Sequence, residues 1–139
     1  MSAINTTVVG TRVYSTTSGE SVDIAANADG VEFLGGLLDD AAPVTGAGGT
    51  RVRFRGVGGY VTENSGTGSI ASGTTADVIT HGLDVTPTIA DISITLAEDP
   101  TASPGAIWVD TIGAANFTVN CENDPGASNL DFGWRAVVL

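Results

Sequence analysis

Short stretches in which apolar and polar residues alternate recur along the chain, and three of those in the C-terminal half are especially regular. Apolar side chains occupy every second position in Asp91–Leu96, in Asn116–Cys121 and in Phe132–Val138. A period of two places each set on one face of a β-strand, where burial against a second sheet stabilises it. No window of a dozen residues has the i, i+3, i+4, i+7 spacing of an amphipathic helix. The pattern therefore predicts an all-β protein built from many short strands.

Gly, Pro, Asn and Asp, which favour turn conformations, separate the predicted strands. Ile112–Asn116 is expected to form a short hairpin loop, and Asp99–Gly105 a longer loop. The predicted strands are Thr6–Tyr14, Ser21–Ala25, Val31–Leu34, Thr50–Arg55, Tyr60–Glu63, Gly68–Ala71, Asp77–Thr80, Thr88–Leu96, Ala106–Ile112, Asn116–Cys121 and Asp131–Val138.

A polar, glycine-bearing stretch, Glu63–Gly68, has the composition of a linker and predicts a boundary within the 139 residues. We expect a smaller glycine-rich β region over residues 1–66 that serves docking or oligomerisation. Residues 67–139, which hold both tryptophans, are expected to form an antiparallel β-sandwich or a barrel-like module. No internal repeat relates the two parts, and each is short enough to need packing against the other or against partner chains.

The charge balance narrows the range of partners. Sixteen acidic residues oppose five arginines, no lysine is present, and the formal net charge is −11. Such a surface repels a phosphate backbone and anionic lipids, so neither nucleic acids nor membranes are expected partners. The N-terminus lacks the basic and apolar segments of a signal peptide, and no stretch approaches the ~20 apolar residues that span a bilayer.

Few residues have the spacing of a catalytic or metal site. His81 is the single histidine, and its ring is expected to satisfy a local turn, since no nucleophile motif accompanies it. Cys121 shares a strand face with Phe117 and Val119 and is predicted to be a small buried hydrophobe. The close acidic groups lack the spacing of a calcium loop; they are Asp39–Asp40, Glu98–Asp99 and Glu122–Asp124. The sequence thus predicts no catalytic residue, no metal site and no cofactor, and argues against an enzyme.

An arginine-rich stretch is the most distinctive local feature. Arg51, Arg53 and Arg55 alternate with Val52 and Phe54, so three of the five positive charges share one strand face. Two interpretations stay open: the arginines pair with carboxylates of this chain, or they contact a neighbouring subunit or a host surface. The candidate interface residues are Arg12, Arg51, Arg53, Arg55 and Tyr60.

The C-terminal half contains, in order, Ile79–Leu83, Thr86–Thr88, Ile107–Asp110, Asn116–Asn120 and Asp131–Ala136. This series resembles small β domains encoded by tailed bacteriophages. In such domains a Thr-His-Gly-Leu stretch and a Thr-Pro pair precede an Ile-Trp-Val strand, a Phe-Thr-Val strand and a terminal aromatic strand. Domains of this kind occur in capsid decoration (cement) proteins, head fibres and tail fibres, and their last strands are similar to the H-type lectin sandwich. The resemblance covers roughly residues 67–139.

The plan of the chain is most similar to that of a decoration protein, because neither repeats nor the coiled-coil stalk of a tail fibre is evident. The resemblance implies a structural virion protein on the outer surface of the phage head. Such a protein is expected to form a homotrimer, to bind the major capsid protein and to stabilise the shell by bridging capsomers. The alternative is a carbohydrate-binding receptor module of a tail or head fibre, in which Trp108, Trp134 and Tyr60 are candidates for stacking on sugar rings.

Overall fold

The computed structural model describes residues 6–10, 12–14, 22–24, 30–39, 44–45, 52–97 and 100–138. Over these ranges the secondary structure consists of β-strands, an isolated β-bridge and a three-residue 3-10 turn, which confirms the predicted all-β class. None of these residues lies in a helix with the length and hydrophobicity needed to cross a bilayer. The chain divides into two compact units, an N-terminal unit within residues 1–62 and a C-terminal unit within residues 63–138.

Strand pairing in the described part of the N-terminal unit is entirely parallel. The strands are β1 (Thr6–Val9), β2 (Arg12–Tyr14), β3 (Val22–Asp23), β4 (Val31–Leu34), β5 (Leu37–Asp39), β6 (Val44–Thr45) and β7 (Arg53–Arg55). Strands β1, β4 and β7 form one sheet with β4 in the centre, while β2 pairs with β5 and β3 pairs with β6.

Strands β1 to β4 each pair with a strand that follows about 21 to 25 residues later, as Thr6 does with Val31 and Glu32 with Arg53. Parallel pairing between consecutive coils of the chain is the arrangement of a β-solenoid. The glycine-rich N-terminal region is therefore a short solenoid. This repeat was not predicted from the sequence, because the coils share strand pairing and not a common residue motif.

Glycine at a corner explains why the predicted strand Thr6–Tyr14 is in fact two strands. Gly10, with a φ of 62°, lies between β1 and β2 in the left-handed conformation that other residues avoid. Its amide donates to the carbonyl of Leu34 at 2.9 Å, so the corner is held against the following coil. Strands β5 and β6 were not predicted, and the described residues Tyr60–Thr62 are not a strand as was predicted.

A column of side chains runs from coil to coil through the solenoid. Val8 pairs with Phe33, which pairs with Phe54. The rings of Phe33 and Phe54 stack with an interplanar angle of 2° and a centroid distance of 4.7 Å, and the Tyr60 ring meets Phe54 edge-on at 4.8 Å. Such aromatic pairs add ~0.5–1.5 kcal/mol to the effect of area burial. The buried hydrophobic residues here are Ile24, Leu38, Phe54, Val57 and Tyr60.

The segment after β7 closes the outer edge of this sheet. The carbonyl of Arg55 accepts a hydrogen bond from the Gly35 amide at 2.8 Å on the β4 side, so the preceding carbonyl, of Phe54, points to the opposite edge. There the Thr62 hydroxyl donates to the Phe54 carbonyl at 2.7 Å in a buried bond. Together with the Tyr60 ring, this hydroxyl caps the last coil in place of a further strand.

Two antiparallel three-stranded sheets form the C-terminal unit, as the predicted sandwich requires. Its strands are β8 (Glu63–Ile70), β9 (Ala76–Thr80), β10 (Ile92–Leu96), β11 (Ile107–Asp110), β12 (Asn116–Cys121) and β13 (Leu130–Val137). One sheet has the order β10–β13–β8 and the other the order β11–β12–β9. The 3-10 turn Ile89–Asp91 precedes β10, where the sequence predicted one continuous strand from Thr88.

The prediction that Glu63–Gly68 is a linker is wrong, because these residues form the first part of β8. They pair in register with β13, from Glu63 opposite Val137 to Gly68 opposite Phe132. The stretch has a linker-like composition because its inward positions, Gly66 and Gly68, carry no side chain. A Cβ at Gly68 would lie 2.4 Å from Phe132 and 2.6 Å from Ile79, so the rings and methyl groups of the core occupy that space.

The sandwich core consists of the residues whose alternation predicted it. Phe117, Val119 and Cys121 of β12 are buried against Phe132 and Trp134 of β13. The rings of Phe117 and Trp134 meet edge-on with centroids 5.7 Å apart. Each large apolar side chain buried in this way contributes ~1.5–3 kcal/mol to folding.

A matched pair of glycine substitutions tests this packing. We expect Gly68→Ala to destabilise the sandwich by about 1–3 kcal/mol, because its Cβ overlaps the core. Gly133→Ala on β13 is expected to be neutral or stabilising by up to ~1 kcal/mol, because a Cβ there has no heavy atom nearer than 3.9 Å. Urea unfolding followed by tryptophan fluorescence measures both changes. Equal effects of the two substitutions would contradict this account.

Candidate functional site

The outer face of the β11–β12–β9 sheet carries an exposed tryptophan. Trp108 lies opposite Asn120, Asp110 lies opposite Thr118, and Thr118 in turn lies opposite Val78. Trp108 is 45% exposed and Val78 is 60% exposed, although both are large apolar residues. We call the outward side chains of these five residues the Trp108 face. An indole on an open sheet surface is a platform on which the flat face of a ligand can stack.

Hydrogen bonds from its neighbours fix the Asp110 carboxylate beside the indole. The Trp108 Nε1–H donates to Oδ2 of Asp110 at 3.2 Å, and the Thr111 hydroxyl donates to Oδ1 at 3.0 Å. Thr111 holds a φ of 48°, a left-handed conformation that is rare for a β-branched residue. Strained backbone of this kind is often associated with functional sites.

The same neighbours favour the ionised form of Asp110. The Asn120 amide, the Thr111 hydroxyl and the Trp108 indole N–H, in order of effect, hold the pKa of Asp110 below its usual range. Nδ2 of Asn120 is buried beneath this face, so it is not open to a ligand. The arrangement can stack a ring on the indole and accept hydrogen bonds from ligand hydroxyl groups at the Asp110 carboxylate.

Two of the three residues predicted to stack on sugar rings are buried. Trp134 is 7% exposed and Tyr60 is 8% exposed, and each packs in a core. Trp134 alternates with Phe132 and Ala136 on the inner face of β13, whereas Trp108 alternates with the half-buried Ile107 and Val109 and so faces outward. Asp110 was not among the site residues predicted from the sequence, although its spacing of two from Trp108 places both on one strand face.

The arginines lie on the outer face of the solenoid sheet β1–β4–β7. Arg53 and Arg55 point away from the buried Phe54, as the alternation predicted. Glu32 and Leu34 of β4 lie beside them in register, and Val9 of β1, which is 68% exposed, lies beside Leu34. We call these five residues the solenoid face.

One arginine of the arginine-rich stretch forms an ion pair with a carboxylate of this chain. Nε of Arg55 lies 3.4 Å from Oε1 of Glu32, a partly exposed ion pair that contributes at most about 1 kcal/mol. Arg53 is half-buried and has no ion-pair partner among the described residues. Arg51 and the Arg12 side chain lie outside the described part of the chain, and buried Tyr60 is not available as an interface residue.

His81 has the structural role that the sequence predicted. Its ring is fully buried, Nδ1 accepts the Leu83 amide at 3.0 Å, and Nε2 lies 3.1 Å from the Gly113 carbonyl. These partners fix the neutral tautomer with its proton on Nε2. The ring thus joins the turn after β9 to the β11–β12 loop and is not poised for proton transfer.

Cys121 and the acidic loop residues also serve the fold. Burial, with the nearby Asp124 charge, raises the pKa of the Cys121 thiol, which donates to the Asn123 carbonyl at 3.0 Å. Oδ1 of Asp124 accepts the amides of Gly126 at 2.9 Å and Gly73 at 3.0 Å, which lowers the pKa of this carboxyl and ties two loops together. Within the described ranges no three His, Cys, Asp or Glu side chains are grouped for a metal ion, while Asp40, Glu98 and Asp99 lie outside those ranges.

No family model matches the chain, and a search of curated proteins gives no match to it.

The hydrogen bonds around Asp110 predict its titration. The pKa of Asp110 is lower in the folded chain than in the unfolded chain. The stability that its hydrogen bonds contribute is therefore present above the unfolded carboxyl pKa of ~3.9, and it is lost as the pH falls through the folded pKa. Carboxyl carbon chemical shifts measured against pH should give an Asp110 midpoint below 3.8 in the wild-type chain. The midpoint should rise in Thr111→Val, while the midpoint of Asp124, whose carboxylate accepts the Gly126 and Gly73 amides, stays unchanged as a control. An Asp110 midpoint that is insensitive to this substitution would contradict the assigned contacts.

Proposed function

We propose that the chain is a structural protein of the outer surface of a tailed-bacteriophage head, a decoration protein that binds the capsid shell. The supporting observation is the solenoid face, where exposed Val9 and half-buried Leu34 lie beside two arginines. Apolar contact supplies most of the binding energy in such an arrangement, and guanidinium groups fix the register through carboxylates of the partner. The resemblance of the C-terminal half to phage β domains supports the same role.

The distribution of charge between the units supports docking through the solenoid. Residues 1–62 contain six acidic residues and four arginines, whereas residues 63–138 contain ten acidic residues and one arginine. A formal charge of −9 on the sandwich resists close approach to another acidic surface, but the solenoid unit, at −2, does not. The solenoid is therefore the unit that contacts the major capsid protein and neighbouring copies in a homotrimer.

The mechanism is mechanical. Copies at regular positions on the shell bridge adjacent capsomers and add contacts that oppose the pressure of packaged DNA. Each contact is small, but several chains joined in one oligomer bind with the combined strength of all their contacts.

Co-sedimentation with undecorated shells of the cognate major capsid protein tests this role. The wild-type chain should pellet with the shells, and Arg53→Ser/Arg55→Ser should weaken binding about tenfold or more through lost charge-assisted contacts. Arg135→Ser, which removes an exposed arginine of the sandwich, is the matched control and should bind as the wild type does. A wild-type chain that stays in the supernatant would exclude the decoration role.

The Trp108 face favours a second candidate, a carbohydrate-binding receptor module. A half-exposed indole beside an ionised carboxylate offers a stacking surface and hydrogen-bond acceptors for hydroxyl groups. In this case Trp108 carries the stacking role, and Asp110 orients the sugar.

A glycan array with the wild-type chain and Trp108→Ala tests this candidate. Binding by the wild type should fall about tenfold or more in Trp108→Ala, because most of the stacking surface is lost. Val78→Ser, on the same face two strands away, is a control for general changes in surface polarity. Glycan signals that are identical in wild type and Trp108→Ala would rule out this surface.

A further inference from the structure

Strand β10 forms an outer edge of its sheet. In the order β10–β13–β8 it pairs with β13 over five residue pairs, from Ile92 opposite Ala136 to Leu96 opposite Phe132, and with no other described strand. We call the side of Ile92–Leu96 that faces away from β13 the β10 margin. We propose that the β10 margin binds an extended, positively charged segment of a partner protein, which adds to the sheet as a further β-strand. This surface is separate from the solenoid face and from the Trp108 face.

Backbone hydrogen-bonding groups of β10 point into this margin. The Ala97 amide donates to the Asp131 carbonyl at 2.9 Å, so these two residues form a hydrogen-bonded pair just past the end of β10. Hydrogen-bonded pairs occur at every second position of an antiparallel ladder. The amide and carbonyl of Thr95 are therefore directed to β13, while those of Ile94 and Leu96 are directed away from it. An extended polypeptide carries donors and acceptors at the same spacing, which is the basis of recognition by β-strand addition.

The opposite edge of the same sheet, at β8, is closed by side chains. The Ser65 amide donates to Oδ1 of Asn64 at 2.9 Å, and the Ser69 amide donates to Oδ2 of Asp77 at 2.9 Å. In the described part of the chain no side chain accepts a hydrogen bond from the amides of β10. The β8 edge therefore has its own caps, whereas the β10 margin is left open to another chain.

Charged residues distinguish the other outer strands of the sandwich from β10. Strand β8 contains Glu63, β9 contains Asp77 and β11 contains Asp110. Strand β10 contains neither a charged residue nor a proline, and its pairing with β13 is free of bulges. Charges, prolines and bulges are the devices that prevent exposed edges from pairing with other chains. Their absence makes β10 a template for an added strand.

The hydrophobic core is incompletely covered at the β10 margin. Leu96 lies opposite Phe132 and shares the inward face of β10 with Ile92 and Ile94. Phe132 is 1% exposed, but Leu96 is 45% exposed. A strand added beside β10 would cover Leu96 with an apolar side chain of its own, and this burial would favour binding in addition to the backbone hydrogen bonds.

Charge selects a basic segment as the occupant. Residues 63–138 contain ten acidic residues and one arginine, a formal charge of −9. Asp91 directly precedes β10, and Asp131 lies beside Ala97 just past the other end, so a carboxylate is present near each end of the margin. Lys or Arg residues at the two ends of an added strand can pair with these carboxylates. The same charge disfavours a second copy of this chain, whose sandwich is equally acidic.

The test is a titration of the ¹⁵N-labelled full chain with the acetylated and amidated peptide Lys-Val-Thr-Val-Thr-Val-Lys, whose valines alternate as the margin requires. At saturation the peptide should shift the amide signals of Ile94 and Leu96 and slow their hydrogen exchange about tenfold or more, because both amides gain an acceptor. The same peptide with glutamates in place of lysines should bind at least about tenfold more weakly. A peptide with proline in place of the central valine lacks a backbone donor and should lose a similar factor.

A matched pair of substitutions at Leu96 separates the backbone from the side chain. Leu96→Pro removes an amide that points away from β13, where an edge strand tolerates proline, and should lower the affinity for the basic peptide about tenfold or more. Leu96→Ala keeps this amide and should weaken binding less. Urea unfolding establishes that both variants fold, and Trp108→Ala should bind the peptide as the wild type does.

Four results would overturn the inference: no shifts at Ile94 and Leu96, equal affinity for the basic and acidic peptides, equal affinity for the proline-containing peptide, or unchanged affinity in a folded Leu96→Pro. Shifts centred on Ile107 and Val109 would also overturn it, because they would place the added strand on β11. Concentration-dependent shifts at Ile94 without peptide would identify a second copy as the occupant and overturn the choice of partner. Leu96→Pro should still pellet with capsid shells, so the β10 margin and the decoration role can fail or succeed independently.

Discussion

The sandwich depends on close contact between the glycine backbone of β8 and the aromatic rings of β13. Gly68 and Gly66 leave the space that Phe132 and Trp134 occupy, and Phe117 from the other sheet packs edge-on against Trp134. Because these rings fill the interior, the polar residues of each strand are left on the outer faces. The Trp108 face is such an outer face, with rigid strands behind it that hold the side chains in position.

The two units differ in chemistry as much as in strand pairing. The solenoid carries arginines and an exposed valine on one face and nearly balanced charges in its sequence, which suits contact with other proteins. The sandwich concentrates acidic residues, and it carries one arginine and an exposed indole. The proposed protein contacts of the solenoid and the proposed ligand contacts of the sandwich use different residues, so the two proposals are compatible.

Local alternation was enough to predict much of the sandwich. The bounds of β12 agree with the predicted strand at both ends, and alternation alone separates buried Trp134 from exposed Trp108. It failed for β8, because glycines at inward positions look like linker residues when the rings that fill their space are unknown. Alternation also failed to predict the solenoid. The parallel partner of each strand lies a whole coil away, and no hairpin turn in the sequence marks the pairing. The hairpin between β11 and β12 was predicted from its loop residues, but the left-handed conformation of Thr111 and its bond to Asp110 were not.

The Thr62 hydroxyl on the Phe54 carbonyl has a consequence for how copies of the chain can join. A coil edge with free amides and carbonyls is a template for the next coil, and a chain with two such edges would grow end to end into a fibre. In this protein the β7 edge is already occupied by the chain's own side chains. Growth by coil stacking is blocked at that end, so assembly through the solenoid favours closed particles of limited size over open polymers.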